Sequence, residues 1–104
     1  MNRIVHEQSR LKILVHLSAA AGSAAEAVSF PELKEALGMT AGNLSIQLKT
    51  LEENGYIESE KSFVDNKPRT NLRITEAGRD ALVEYLEEME ALLASLKKGN
   101  GGRT

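Results

Sequence analysis

In TAGNLSIQLKT, residues 40–50, Leu44 and Leu48 recur at helical spacing, and Leu51 continues the series. Wound as a helix, these leucines share one side. Gly42, Ser45, Ile46 and Lys49 point the other way, with Asn43 and Thr50 flanking one edge. An ordinary solvated face is laced with Glu and Lys, whereas Lys49 is the one charge in this stretch. The chemistry such a face offers is contact chemistry. Ala41 and Gly42 permit close approach. The Thr40 and Ser45 hydroxyls and the Asn43 and Gln47 amides donate and accept hydrogen bonds, and Lys49 supplies a cation. A second cluster is basic: Lys67, Arg69 and Arg73 fall close together, with Asp65 the only acid between Lys61 and Glu76.

Catalytic chemistry finds no comparable cluster. His6 and His16 stand ten residues apart without a nearby set of ligands, and the acids lie on amphipathic segments where a solvated face is the ordinary role. No phosphate loop, nucleophile elbow or metal-ligand spacing occurs. The chain contains no Cys, which removes disulfides, thiolate metal sites and thiol nucleophiles. The expectation is a protein that is not an enzyme, with no metal and no cofactor.

The 104 residues suit one domain, 1–96, followed by a short polar tail. No apolar run approaches the roughly 20 residues of a membrane helix. The first residues lack a secretion signal's apolar core, and no long repeat occurs. A cytoplasmic location without a membrane partner is expected. Net charge is −2, yet residues 30–73 are close to neutral and the acidic excess lies after residue 74.

Leu11, Ile13, Leu14 and Leu17 mark a first helix, with Ser9 a candidate cap and Ile4 and Val5 an earlier turn. The run SAAAGSAAEAVS reads as its fraying end and a connector. SFPEL opens a second helix: Ser29 caps it, Glu32 completes a capping box, Pro31 fits the first turn, and Gly38 stops it. Only Met39 separates Gly38 from Thr40, the cap of a third helix over Ala41–Glu53. So short a turn forces a steep crossing, the helix-turn-helix layout. A hairpin with a basic tip, Asn66-Lys67-Pro68-Arg69, is expected over about 56–74. Thr75 then caps a long helix over about 76–97, and 98–104 reads as a disordered tail.

This order resembles a winged helix-turn-helix domain. FPELKEALGMTAGNLSIQLKTLEENGYIE followed by SFVDNKPRTNLRITEAGRDAL is similar to the MarR/ArsR-type winged-helix transcriptional regulators, over roughly residues 9–96. The resemblance implies a mainly α fold with a small β-hairpin (α+β) and a long C-terminal dimerisation helix. It implies that Ala41–Glu53 enters the major groove of double-stranded DNA and that the wing reaches the minor groove. The DNA-contacting residues would be Thr40, Ala41, Gly42, Asn43, Ser45, Ile46, Lys49, Lys67 and Arg69. Asn43 or Gln47 could pair with adenine, Ile46 could meet a thymine methyl, and Lys49 a phosphate. Relatives often buttress a wing arginine with an Asp, a role Asp65 could take.

The long helix carries a Leu stripe opposite Glu84, Glu87, Glu88 and Glu90. The stripe is too long for one small domain to cover. Leu82, Tyr85, Leu86, Met89, Leu93 and Leu96 are expected at a homodimer seam, which would present two recognition helices to a palindrome. Repression by occluding a promoter is the simplest mechanism. The alternative is a winged-helix module that binds protein and not DNA. Nothing in the sequence identifies a small-molecule effector.

Overall fold

The computed structural model describes residues 1–22 and 27–101. The elements run α1 (Arg3–His6), α2 (Gln8–Ala20), β1 (Val28–Ser29), α3 (Phe30–Leu37), α4 (Ala41–Glu53), β2 (Ile57–Val64), β3 (Lys67–Ile74) and α5 (Glu76–Gly101). Part of the expected connector, 23–26, and the last residues, 102–104, lie outside the described residues.

The helix starts follow local hydrogen-bond supply. Asn2 Oδ1 accepts from the Ile4 and Val5 N–H groups at 2.8 and 3.1 Å and caps α1. Glu7, not Ser9, caps α2, its carboxylate accepting from the Arg10 N–H at 3.0 Å. The short α1 places Glu7 in an extended conformation just before the α2 amides, which Ser9, already inside the helix, cannot match. Burial pushes the Glu7 carboxyl up, but hydrogen bonds from the Ser9 and Arg10 amides and the Arg10 charge outweigh it and hold it below its ordinary value.

The α3–α4 junction has the expected caps and stop, but the capping box is half made: among the described residues the Glu32 carboxylate does not accept from the Ser29 N–H. Ser29 Oγ accepts from the Glu32 N–H at 3.3 Å. Gly38 takes a left-handed conformation, φ 63°, and donates to the Glu35 carbonyl, while Met39 donates to Lys34. A residue with a Cβ adopts that conformation at a cost, so glycine is the natural stop. Thr40 Oγ1 then accepts from the Asn43 N–H at 3.1 Å. Leu44, Leu48 and Leu51 are buried against Ile13, Leu14, Leu17 and Leu33. Each leucine contributes about 1.5–3 kcal/mol of transfer free energy.

The sheet has three strands and not two, in the order β1-β3-β2, all antiparallel. The extra strand pairs Val28 with Leu72 and Ser29 with Asn71. Two residues carry no alternation, which is why a strand so short leaves no sequence pattern.

The GYI and TEAG segments meet in space. Thr75 Oγ1 donates to the Gly55 carbonyl at 2.6 Å and accepts from the Gly78 N–H at 3.0 Å. The Thr75 N–H donates to the Tyr56 carbonyl at 3.0 Å. Gly78 is buried, and a Cβ there would collide with that same carbonyl. The first turn of α5 thus lies on the backbone that leaves α4.

The last helix is longer than expected and continues through 98–101, part of the stretch read as a disordered tail. Ala, Leu and Lys favour helix up to Lys98, and Lys97 and Lys98 suit the negative end of the helix dipole. The molecule measures 64 × 25 × 24 Å. No helix among the described residues is long and apolar enough to cross a membrane.

Gly78→Ala separates packing from propensity. Helix propensity alone would stabilise the variant by up to about 1 kcal/mol. The collision with Tyr56 is expected to win and to lower stability by about 1–3 kcal/mol in denaturant titration. At Glu7 the pKa is lowered in the fold, so its contribution is present above the unfolded-state value and fades as pH falls through the folded one. The melting-temperature gap between wild type and Glu7→Gln should therefore shrink between pH 7 and pH 3.

Candidate nucleic-acid interface

Burial of Leu44, Leu48 and Leu51 sets the rotation of α4. It leaves Ala41, Gly42, Asn43, Ser45, Ile46 and Lys49 exposed on the outward face, with Ile46 at 65%. A Cβ added at Gly42 would meet nothing within 4 Å, so the domain's own packing does not require glycine there. The backbone N–H groups of Ala41 and Gly42 have no partner among the described residues, because the Thr40 hydroxyl takes Asn43 and the Thr40 carbonyl takes Leu44. Thr40 is therefore a helix cap in its own right, beside two open amides at a helix N-terminus.

Gln47 is half-buried, and both ends of its amide are engaged. Oε1 accepts from Arg10 Nη1 at 2.8 Å, and Nε2 donates to Asn43 Oδ1 at 3.2 Å. The Gln47 side chain, expected to offer its amide to adenine, here ties α2 to α4. Arg10 went unnoticed in the sequence because a lone arginine on the first helix carries no spacing signal.

The wing turns at Asp65 and Asn66, with φ 51° and 63°, both left-handed. These are the residues besides glycine that tolerate such a turn, and the pair closes a two-residue hairpin. Lys67, Pro68 and Arg69 consequently lie on β3 and not at the tip. Pro68 has no N–H for a ladder and sits on the part of β3 that β1 does not reach. Lys67, Arg69 and Arg73 alternate onto one face, opposite Val64, Ser62 and Glu58. Among the described residues no carboxylate lies within ion-pair distance of Lys49, Lys67 or Arg69. Asp65 forms the turn and does not buttress Arg69. Phe63, opposite Pro68, is 76% exposed, an apolar wing residue that the alternation of β2 did not single out.

Two clefts connect the elements. One of about 510 Å³ runs between the start of α3 and the wing, lined by Phe30, Pro31, Lys67 and Arg69 among others. One of about 270 Å³ runs between α4 and the sheet, past Ser45, Lys49 and Ser59. Phe30 and Thr70 line both, so the two adjoin as one concave surface. Ser59 Oγ donates to Glu52 Oε2 at 2.6 Å and ties the base of the wing to the end of α4.

Residues 9–93 match the family model described as a winged helix DNA-binding domain. The chain belongs to that family. The winged helix is 36% identical over 95 residues to the protein MJ0432 of Methanocaldococcus jannaschii, covering 91% of this chain and 98% of that one. The transcriptional regulator homologue protein of Pyrococcus horikoshii has a similar structure, TM-score 0.82 at 27% identity, over 91% of this chain and 89% of that chain. The fold also matches AbsC, a MarR family transcriptional regulator of Streptomyces coelicolor, with TM-score 0.65 at 21% identity, over 81% of this chain and 54% of that one. This chain is thus a winged helix DNA-binding domain by family, with a fold that these regulators share.

On the long helix of this winged helix, Leu82 and Tyr85 are each 3% exposed. Both were expected at a dimer seam but pack in the chain's own core, where the Tyr85 hydroxyl hydrogen-bonds His6 Nδ1 at 2.8 Å. The stripe faces solvent further out: Leu86, Leu92, Leu93 and Leu96 are 38, 57, 51 and 61% exposed, and Met89 is partly buried.

Proposed function

We propose that this winged helix is a homodimeric, sequence-specific regulator that represses transcription by covering double-stranded DNA. Its α4 would lie in the major groove and its wing in the minor groove. The observation that carries the reading is the pair of adjoining clefts that run from α4 along the sheet to the wing and the start of α3, with Lys49 on one and Lys67 and Arg69 on the other, none of them ion-paired among the described residues. The clefts hold two acids, Asp65 in the wing turn and Glu52 hydrogen-bonded to Ser59, while Glu84, Glu87 and Glu90 lie on exposed positions of α5, an element that lines neither cleft.

The roles follow from side-chain chemistry. Ala41 and Gly42 let the helix backbone approach, and their open amides with the Thr40 hydroxyl would hold a phosphate. Asn43, Ser45 and Ile46 would meet base edges, Ile46 by apolar contact with a thymine methyl. Lys49 and Lys67 would neutralise phosphates. Arg69 would enter the minor groove, whose negative potential favours a guanidinium. Leu86, Met89, Leu93 and Leu96 repeat at spacings of three and four and would pack on a second copy. Two recognition helices related by a two-fold axis fit half-sites about one DNA turn apart or a multiple of it. Occupancy of such a site denies it to other proteins, which is the repression we assign.

The exposed Ile46 and the charge of −2 favour a second reading, a module that binds protein. Fluorescence anisotropy with DNA from upstream of its own gene, against scrambled DNA at several salt concentrations, separates the two. The regulator reading expects tighter binding to the native fragment and a steep loss with salt, about 0.9 in log–log slope per phosphate contact. Lys49→Ala should weaken all sequences alike and lower the slope by about that amount per contact. No binding to either DNA at low salt would favour the protein-binding module.

Gly42→Ala should leave stability equal or raised, since nothing crowds the new methyl, while weakening DNA binding. Equal DNA affinity would remove Gly42 from the contact surface. For the seam, the pair Leu93→Glu and Leu96→Glu should convert a dimeric mass to a monomeric one by light scattering. The melting curve of the core should persist, because both side chains are exposed in the single chain.

A further inference from the structure

We propose that Arg10 is a positioning residue that sets the hydrogen-bond polarity of the recognition face, so that Asn43 meets DNA with its amide N–H groups and not its carbonyl. This rests on the DNA-binding reading above and deepens it. It names the class of base that Asn43 reads: one that offers an acceptor.

Arg10 sets the direction of the chain of bonds because a guanidinium has donors and no acceptor. Its Nε donates to the Ile4 carbonyl at 2.7 Å, which anchors the planar fork to the end of α1. Its Nη1 lies 2.8 Å from the Gln47 side chain, so the Gln47 atom that faces it is the carbonyl Oε1. Gln47 then has only Nε2 to offer along α4. That nitrogen lies 3.2 Å from the Asn43 side chain, one helical turn back. An amide nitrogen donates and does not accept, so Asn43 must present Oδ1 to it. The Asn43 Nδ2 is left pointing away, exposed, with no partner among the described residues. Reversing any link would set donor against donor or acceptor against acceptor. The Asn43 backbone is held as well, by the Thr40 cap at 3.1 Å.

In the major groove, guanine presents N7 and O6 as acceptors and thymine presents O4, whereas cytosine presents the N4 donor. An outward amide N–H₂ suits guanine or thymine and opposes cytosine. Two-bond pairing with adenine needs Oδ1 to face the groove beside Nδ2 and accept from N6; Gln47 holds Oδ1 along α4, so an outward N–H₂ meets adenine at N7 alone, with one bond and not two.

Selection of bound sites from a randomised duplex pool tests this, with wild type, Asn43→Ala, Gln47→Glu and Arg10→Gln compared by sequencing. Asn43→Ala marks the base position that Asn43 reads. Gln47→Glu keeps an acceptor for Arg10 and replaces Nε2 with a second acceptor, so Asn43 must turn over and present Oδ1. At the marked position wild type should enrich guanine or thymine over cytosine by about fivefold or more. Gln47→Glu should invert that order toward cytosine or adenine and leave the other positions unchanged. Its added negative charge weakens all sequences alike, so lost affinity cannot imitate the inversion. Arg10→Gln can donate or accept, and should flatten the preference at that one position.

A wild-type preference for cytosine there, or an unchanged order in Gln47→Glu, overturns the proposal. If Asn43→Ala alters no position, Asn43 touches no base, and the proposal fails while DNA binding stands. If Arg10→Gln does not fold, Gln47→Glu decides alone. If wild type retains no duplex even at low salt, the DNA-binding reading itself fails and takes this proposal with it.

Discussion

The rotation of α4 about its own axis is the constraint on which the molecule depends. Leu44, Leu48 and Leu51 enter the core together, and each is nearly or wholly removed from solvent. A helix anchored at three positions over two turns cannot roll without exposing a leucine, at about 1.5–3 kcal/mol each. The outward face is therefore fixed by burial on the opposite one. The junction before the helix fixes its entry. Gly38 reverses the chain in a left-handed turn and Thr40 caps the next helix two residues later, so α3 and α4 cannot merge into one straight rod.

A second restraint acts at the other end. The chain leaves α4 through Gly55 and Tyr56, and the first turn of α5 closes on that exit by way of Thr75 and Gly78. Glu52 and Ser59 add a hydrogen bond between the end of α4 and the base of the wing. The wing thus has a defined position relative to the outward face of α4, although its own tip is exposed. Rigid helix α4 carries most of the proposed contact residues, and a hairpin with a two-residue turn carries Lys67 and Arg69. The core ends near Met89, and beyond it α5 carries its leucines out into solvent.

Much of this was legible in the sequence where the physics is local. The leucine period in α4, the Ser29 and Thr40 caps and the Gly38 stop depend on residues within a turn of one another, and the structure has them as expected. Features that depend on an approach between distant segments were not legible. The two residues of β1 become a strand only because β3 passes beside them. Arg10 reaches Gln47 only because α2 packs across α4. The leucine stripe of α5 was visible, but periodicity cannot say how much of a stripe the chain's own core covers. That is why Leu82 and Tyr85 turned out to be core residues. The turn at Asp65-Asn66 shifted the wing cations onto β3 because two left-handed residues close a tighter hairpin than a four-residue basic tip would.

On the proposed reading, the outward face of α4 and the basic edge of the wing form one DNA-binding surface. Backbone amide shifts, followed by NMR as a duplex carrying the bound site is added, test it most directly. Changes should gather at Gly42, Asn43, Ser45, Ile46 and Lys49 and at Lys67 and Arg69, while the exposed leucines of α5 stay unmoved. Changes confined to α5, or to the outer side of α2 around Val15, would contradict it.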